Sequence, residues 1–177
     1  MQDDDPMRRP RAPRPYVLTP AILYVQRAAV RATQDLLRLG GNNEACVFWY
    51  GERRGESSYV RSVRAPMQKS TRGNYHVEPE AMSAMVRDLP DIWRPLAQIH
   101  SHPGLNTEHS RYDDALISSR KVVSLVFPLY GRSSAPWPDG VGVHEWQIDY
   151  WQMLPPDQTE RRLSVVDSDD FEVRDFR

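Results

Sequence analysis

Apolar positions along the chain alternate between helical and strand spacing. Thr19-Pro20 opens the first periodic run: Thr19 can accept from an unpaired amide as N-cap, and Pro20 loses no bond at the first helical position. Ile22, Val25, Ala29, Ala32, Leu36 and Leu39 then recur at spacings of three and four, which predicts one buried helical stripe stopped by Gly40-Gly41. Glu44 to Tyr50 is rich in β-formers and predicts a core strand, Glu52 to Glu56 a turn, and Ser57 to Ala65 the second arm of a hairpin. Pro66 to Tyr75 has no core periodicity and reads as a loop. Pro79 starts a short helix with Met82, Met85, Val86 and Leu89 on one side, ended by Pro90. Pro95 to Ser101 predicts a strand, Ser110 the cap of a helix carrying Asp113 in its first turn, and Val122 to Leu129 and Val141 to Trp151 two further strands. From Asp157 to Arg177, seven acidic and four basic residues surround Leu163, Val165, Val166, Phe171, Val173 and Phe176, enough for a last strand or a docked tail.

This order of elements predicts an α/β fold, a mixed β-sheet with helices against it. A length of 177 residues suits a single domain. Residues 1–15 mix three aspartates, four arginines and four prolines with almost nothing to bury, so they are expected to be a disordered tail. Residues 16–154 are expected to form the domain proper, and 155–177 a partly ordered C-terminal extension.

Charge is balanced, with 23 basic and 24 acidic side chains giving a net −1, so nothing in the total demands nucleic acid or an anionic membrane. Cys46 is the only cysteine, which excludes an intrachain disulfide and a thiolate zinc cluster. No apolar run approaches the ~18 residues of a membrane span, and the N-terminus lacks a signal-peptide core. These features lead to the expectation of a soluble, cytoplasmic protein.

The chemistry concentrates in His100-Ser101-His102-Pro103-Gly104 and, further on, Ser110-Arg111-Tyr112-Asp113. Imidazoles two residues apart on an extended segment project to one side and can grip one ion. Pro103-Gly104 turns the chain, so that Asp113 can return a carboxylate to that ion from a new element. Two His and one carboxylate leave a fourth tetrahedral position open for water, as in catalytic zinc sites. The trio also suits non-haem iron. His76, His109 and His144 have no paired spacing and are expected to be non-ligands.

The string His-Ser-His-Pro-Gly, five residues, then Ser-x-x-Asp resembles the signature of the JAMM metallopeptidases, also called MPN+ or JAB domains. That motif has a further member, a glutamate on an earlier strand, and Glu44 stands at the head of the first predicted hairpin. The resemblance implies the cytidine deaminase-like JAB fold. It also implies one Zn2+ held by His100, His102 and Asp113, with Glu44 shuttling protons and Ser110 steadying the tetrahedral intermediate. Family members cut isopeptide or peptide bonds after the C-terminus of ubiquitin or a ubiquitin-like protein.

The compact form, with no coiled coil and no zinc-binding insertion, is similar to bacterial JAMM proteins of ubiquitin-like conjugation systems, antiviral operons among them. Partners implied by that resemblance are the modifier or its conjugate and the E1-like and E2-like proteins of the same system. Two alternatives use the same frame: a peptidase releasing sulfur-carrier adducts, and a non-enzymatic JAB-type binding module. Trp137, in the loop between the last two predicted strands, is a candidate clamp for the modifier's tail; packing between its two flanking prolines explains it equally well.

Overall fold

The computed structural model describes residues 16–117 and 119–177, and the first element among them is a strand where helical spacing had predicted a helix. In order, the elements are β1 (Ile22–Gln26), α1 (Arg27–Arg38), β2 (Cys46–Arg54), β3 (Ser57–Ala65), β4 (Lys69–Thr71), β5 (Asn74–His76), α2 (Pro79–Val86) and β6 (Arg94–Ser101). There follow α3 (Arg111–Leu116), β7 (Val123–Phe127), a 3-10 turn (Leu129–Gly131), β8 (Gly142–Gln147), β9 (Tyr150–Met153), α4 (Pro156–Arg162), β10 (Leu163–Val166) and β11 (Glu172–Asp175). The expected tail, residues 1–15, lies outside the described residues.

Three expectations need correction. Ile22 to Val25 are large, mostly β-prone residues that satisfy strand and helix spacing alike. Parallel pairing of β1 with both β3 and β10 settles the choice, burying Leu23 and Val25 on alternate positions. The helix therefore begins only at Arg27, capped by Gln26 without a side-chain bond, and Leu39 ends up exposed rather than on the buried stripe. The expected loop from Pro66 to Tyr75 contains a second small sheet, β4 against β5. The single strand expected over Val141 to Trp151 is a hairpin, β8 with β9, turning at Ile148 with φ +54°.

Among the described residues nine strands form one curled mixed sheet, in the order β10-β1-β3-β2-β6-β7-β8-β9, with β11 also on β3. β1 takes the first part of the β3 edge, from Ser57 to Tyr59, and β11 the last part, from Ser62 to Ala65. Helices lie on both faces. Along β2, Val47 and Trp49 face the core closed by Leu36 and Leu37 of α1, whereas Cys46, Phe48 and Tyr50 face Met85 of α2, the alternation expected of a strand buried on both sides. The Trp49 indole donates to Thr33 Oγ at 2.8 Å, and Thr33 donates in turn to the Ala29 carbonyl, so the buried ring ties α1 to the sheet without an orphaned polar atom.

Two glycines permit backbone approaches that no side chain would allow. At the irregularity in β2, a Cβ on Gly51 would lie 1.9 Å from the Tyr59 carbonyl oxygen. On β8, a Cβ on Gly142 would lie 2.2 Å from the carbonyl of Thr107, so the loop after β6 presses directly on the sheet. Among the described residues no helix is long and apolar enough to cross a membrane. The chain is thus a single α/β domain, and the C-terminal end of β6, in the middle of the sheet, gathers one cluster of buried polar side chains.

Candidate metal centre

β6 pairs antiparallel with β2 and parallel with β7, so its C-terminal end is braced on both sides. His100, opposite Cys46, is fully buried and points to the α2 face, 5.5 Å from the Tyr75 ring. His102 lies just past the strand, but the ladder continues through it: its N–H donates to the Phe127 carbonyl at 2.9 Å, and its carbonyl accepts from Tyr130 at 2.8 Å. Alternation therefore carries over, and His102 joins His100 on one side. The turn supplying Tyr130 holds Leu129 and Tyr130 at φ +54°, a conformation non-glycine residues adopt at a cost of order 1–3 kcal/mol each.

Asp113 arrives on α3. Ser110 caps that helix reciprocally: its Oγ accepts from the Asp113 N–H at 3.1 Å, and its own N–H donates to Asp113 Oδ2 at 2.6 Å. Each of the two residues thus satisfies the other's amide, and the Ser110 N–H aims the carboxylate. The Asp113 oxygens lie 3.3 Å from His100 Nε2 and 3.4 Å from His102 Nε2, and the two Nε2 atoms are 3.1 Å apart.

These three residues are the group of potential metal donors found among the described residues. Four bonds of 2.0–2.1 Å at tetrahedral angles would set neighbouring donors about 3.3 Å apart. The observed separations fit that ion size. His102 is also oriented for it: a carbonyl only accepts, so Nδ1–H donates to the Asn106 oxygen at 2.9 Å and the Nε2 lone pair faces the centre. His100 lacks such a support, since its Nδ1 is buried without a hydrogen-bond partner, and packing together with the Nε2 contacts to His102 and Asp113 holds the ring. Asn106 was not foreseen from sequence, because it acts through a backbone carbonyl that any residue would provide.

Electrostatics follow the same arrangement. Burial disfavours the charged forms, and it pulls the His100 imidazole below its usual value. Burial also works against ionised Asp113, yet in the metal-free protein protons on the His100 and His102 Nε2 atoms, which an ion would replace, outweigh it and hold the carboxyl well below the usual carboxylate range. At His102, burial is again opposed and overcome by Asp113, so its pKa is raised. Glu44 lies two residues before β2, its N–H bonded to the Thr71 carbonyl of β4, and is 5% exposed. Burial pushes its carboxyl up to about 7; the charges of His102 and Asp113, one lowering and one raising it, place Glu44 within electrostatic reach of the centre.

A sequence profile for prokaryotic homologs of the JAB domain matches residues 26–149, which is more than half of the chain. The chain belongs to the JAB family. No curated protein matches it. The solution structure of protein DSY2949 from Desulfitobacterium hafniense is similar, with a TM-score of 0.64 at 18% identity over 83% of this chain and 94% of that one. That likeness shows the JAB chain's fold alone.

The other expected positions separate. Trp137 of this JAB domain packs its ring 6.4 Å from Trp49 and 5.9 Å from Phe127, on the main core. That contact gives the partly buried ring a packing role. His76 pairs with Glu78 in the small hairpin. His109 and His144 are buried and stacked on each other beside His100, a proximity that spacing in the sequence did not reveal.

Proposed function

We propose that this JAB domain is a zinc metallopeptidase of the JAMM type, cleaving after the C-terminus of a ubiquitin-like modifier. The observation that carries this reading is the convergence of His100, His102 and Asp113 on one cluster of donor atoms, with Ser110 capping the helix of Asp113 and Glu44 adjacent to Ala45, whose backbone bonds to Ser101 between the two histidines. His100, His102 and Asp113 would hold the ion. Bound there, zinc supplies Lewis acidity toward a carbonyl and acidifies water.

The chain's own groups do the rest. Glu44, buried at the head of β2, takes a proton from the attacking water and passes it to the leaving amine, so that one residue serves as base and then as acid. Ser110 Oγ accepts from the Asp113 amide, which leaves its hydroxyl proton to donate to the oxyanion of the tetrahedral intermediate. Asp113, kept ionised by its histidine partners, is ready as a ligand across the working pH range.

The balanced charge of the chain favours a protein substrate over a polyanion. The same centre serves sulfur-carrier adducts, so the choice of modifier is read from the test itself. Purified wild type and His102→Ala are assayed for zinc and incubated with C-terminal fusions of ubiquitin-like and sulfur-carrier proteins. Wild type is expected to hold about one zinc per chain and trim a ubiquitin-like fusion; the variant is expected to do neither. Zinc bound without cleavage of any fusion would overturn the peptidase and favour a binding module.

A further inference from the structure

Beside the centre runs a second chain of buried polar groups. His109, 2% exposed, lies with Nδ1 at 2.9 Å from Asp114 Oδ1 and Nε2 at 2.8 Å from Ser124 Oγ. A carboxylate only accepts, so Nδ1–H donates to Asp114; in the neutral ring Nε2 then accepts from the Ser124 hydroxyl. The order Asp, His, Ser matches a nucleophile relay, but Ser124 is fully buried on β7 and no substrate carbonyl can reach it. The chain must hold something in place.

What it holds is set by the sheet. Ser124 stands opposite Gln98 on β6 and opposite His144 on β8, so these three residues form one row across adjacent strands. His109 lies over that row, its ring stacked 3.7 Å from that of His144 at 13° and 5.9 Å from that of His100. Two residues earlier, Thr107 is seated on Gly142 of the same strand β8. The loop is therefore anchored at alternate positions. Immediately after the second anchor comes Ser110, whose N–H orients the Asp113 carboxylate.

We propose that His109 is a positioning residue of the metal centre: bridging Asp114 on α3 and Ser124 on β7, it fixes the loop and first helical turn that aim Asp113 at His100 and His102. This rests on the metallopeptidase reading. Residues that orient ligands from outside typically change metal affinity by about 10–100-fold.

The test uses the full chain with His109→Phe, which keeps an aromatic ring over His144 but neither hydrogen bond, and His109→Asn, which retains a donor near the Nδ1 position. Zinc affinity is measured by chelator competition, the ligand field by the visible spectrum of the cobalt(II) form, and folding by thermal unfolding of the metal-free protein. His109→Phe is expected to weaken zinc by about 10–100-fold and shift the cobalt bands, and His109→Asn to recover most of both. Ser124→Ala, which leaves the ring in place, is expected to move affinity in the same direction by less, and carries the test if the Phe variant does not fold. Unchanged zinc affinity and cobalt spectrum in these variants, with only thermal stability lowered, would overturn the positioning role while leaving the metal site standing. Absence of zinc and cobalt from wild type itself would instead remove the metal reading, and this proposal with it.

Discussion

Two buried polar clusters lie on this sheet, and they differ in what they lack. Arg64 on β3 is 1% exposed, yet its guanidinium is fully engaged: Nε donates to Ser62 Oγ, one terminal nitrogen to Asp88 and the Met85 carbonyl, and the other to Glu172 on β11. Here the cation is built in, and the cluster links β3 to α2 and β11. Around His100, by contrast, two imidazole nitrogens and a carboxylate crowd within 3.1–3.4 Å of one another with no arginine or lysine among them. Buried charge that is paired on all sides serves the fold, whereas two imidazoles and a carboxylate gathered at this spacing could hold a metal ion.

The contrast can be tested in descending order of effect. Glu44→Gln should keep zinc and lose about 10²–10⁴ in cleavage rate, since it removes the proton carrier and no ligand; cleavage of a fusion at the wild-type rate would assign the base elsewhere. At the other cluster, Arg64→Ala should cost about 3 kcal/mol in urea denaturation. That value is at the low end for a broken buried pair because the Asp88 and Glu172 side chains, 44% and 35% exposed, regain water. Its zinc stoichiometry should not change.

Zinc at one hundred times its dissociation constant should stabilise wild type by about 2.7 kcal/mol and His102→Ala not at all, read as a shift in thermal midpoint. The smallest effect is a pH dependence. With a folded pKa raised from 4.5 to about 7, ionised Glu44 is disfavoured in the metal-free fold. Metal-free wild type therefore loses stability as pH rises from 4.5 through 7, and Glu44→Gln should gain on it over that window and no further. Denaturation of chelator-treated proteins at pH 5 and pH 8 checks the sign; a gap that widens toward acid would contradict it.

Legibility was uneven, and for identifiable reasons. The arm Ser57–Ala65 was readable because strand composition and a Gly-containing turn agree there. The Ser110 cap was readable because a capping residue and a first-turn acid are local in sequence. Ile22 to Val25 misled because their spacing fits both periods, and only the partners β3 and β10 decide between them. The role of His109 was invisible for a similar reason: its contacts, Ser124 and His144, lie 15 and 35 positions away, and a lone histidine carries no spacing signal.

The sequence by itself therefore determined the donor types, the two-residue step between His100 and His102, and the cap that aims Asp113, because each depends on neighbours within a few positions. Tertiary structure alone decided that Glu44 loses its water beside them, that the loop is seated on Gly142 and His144, and that Arg64 meets Glu172 across 108 positions. Those facts come from which strands lie side by side, and strand pairing is chosen by the burial of the whole sheet rather than by any one segment.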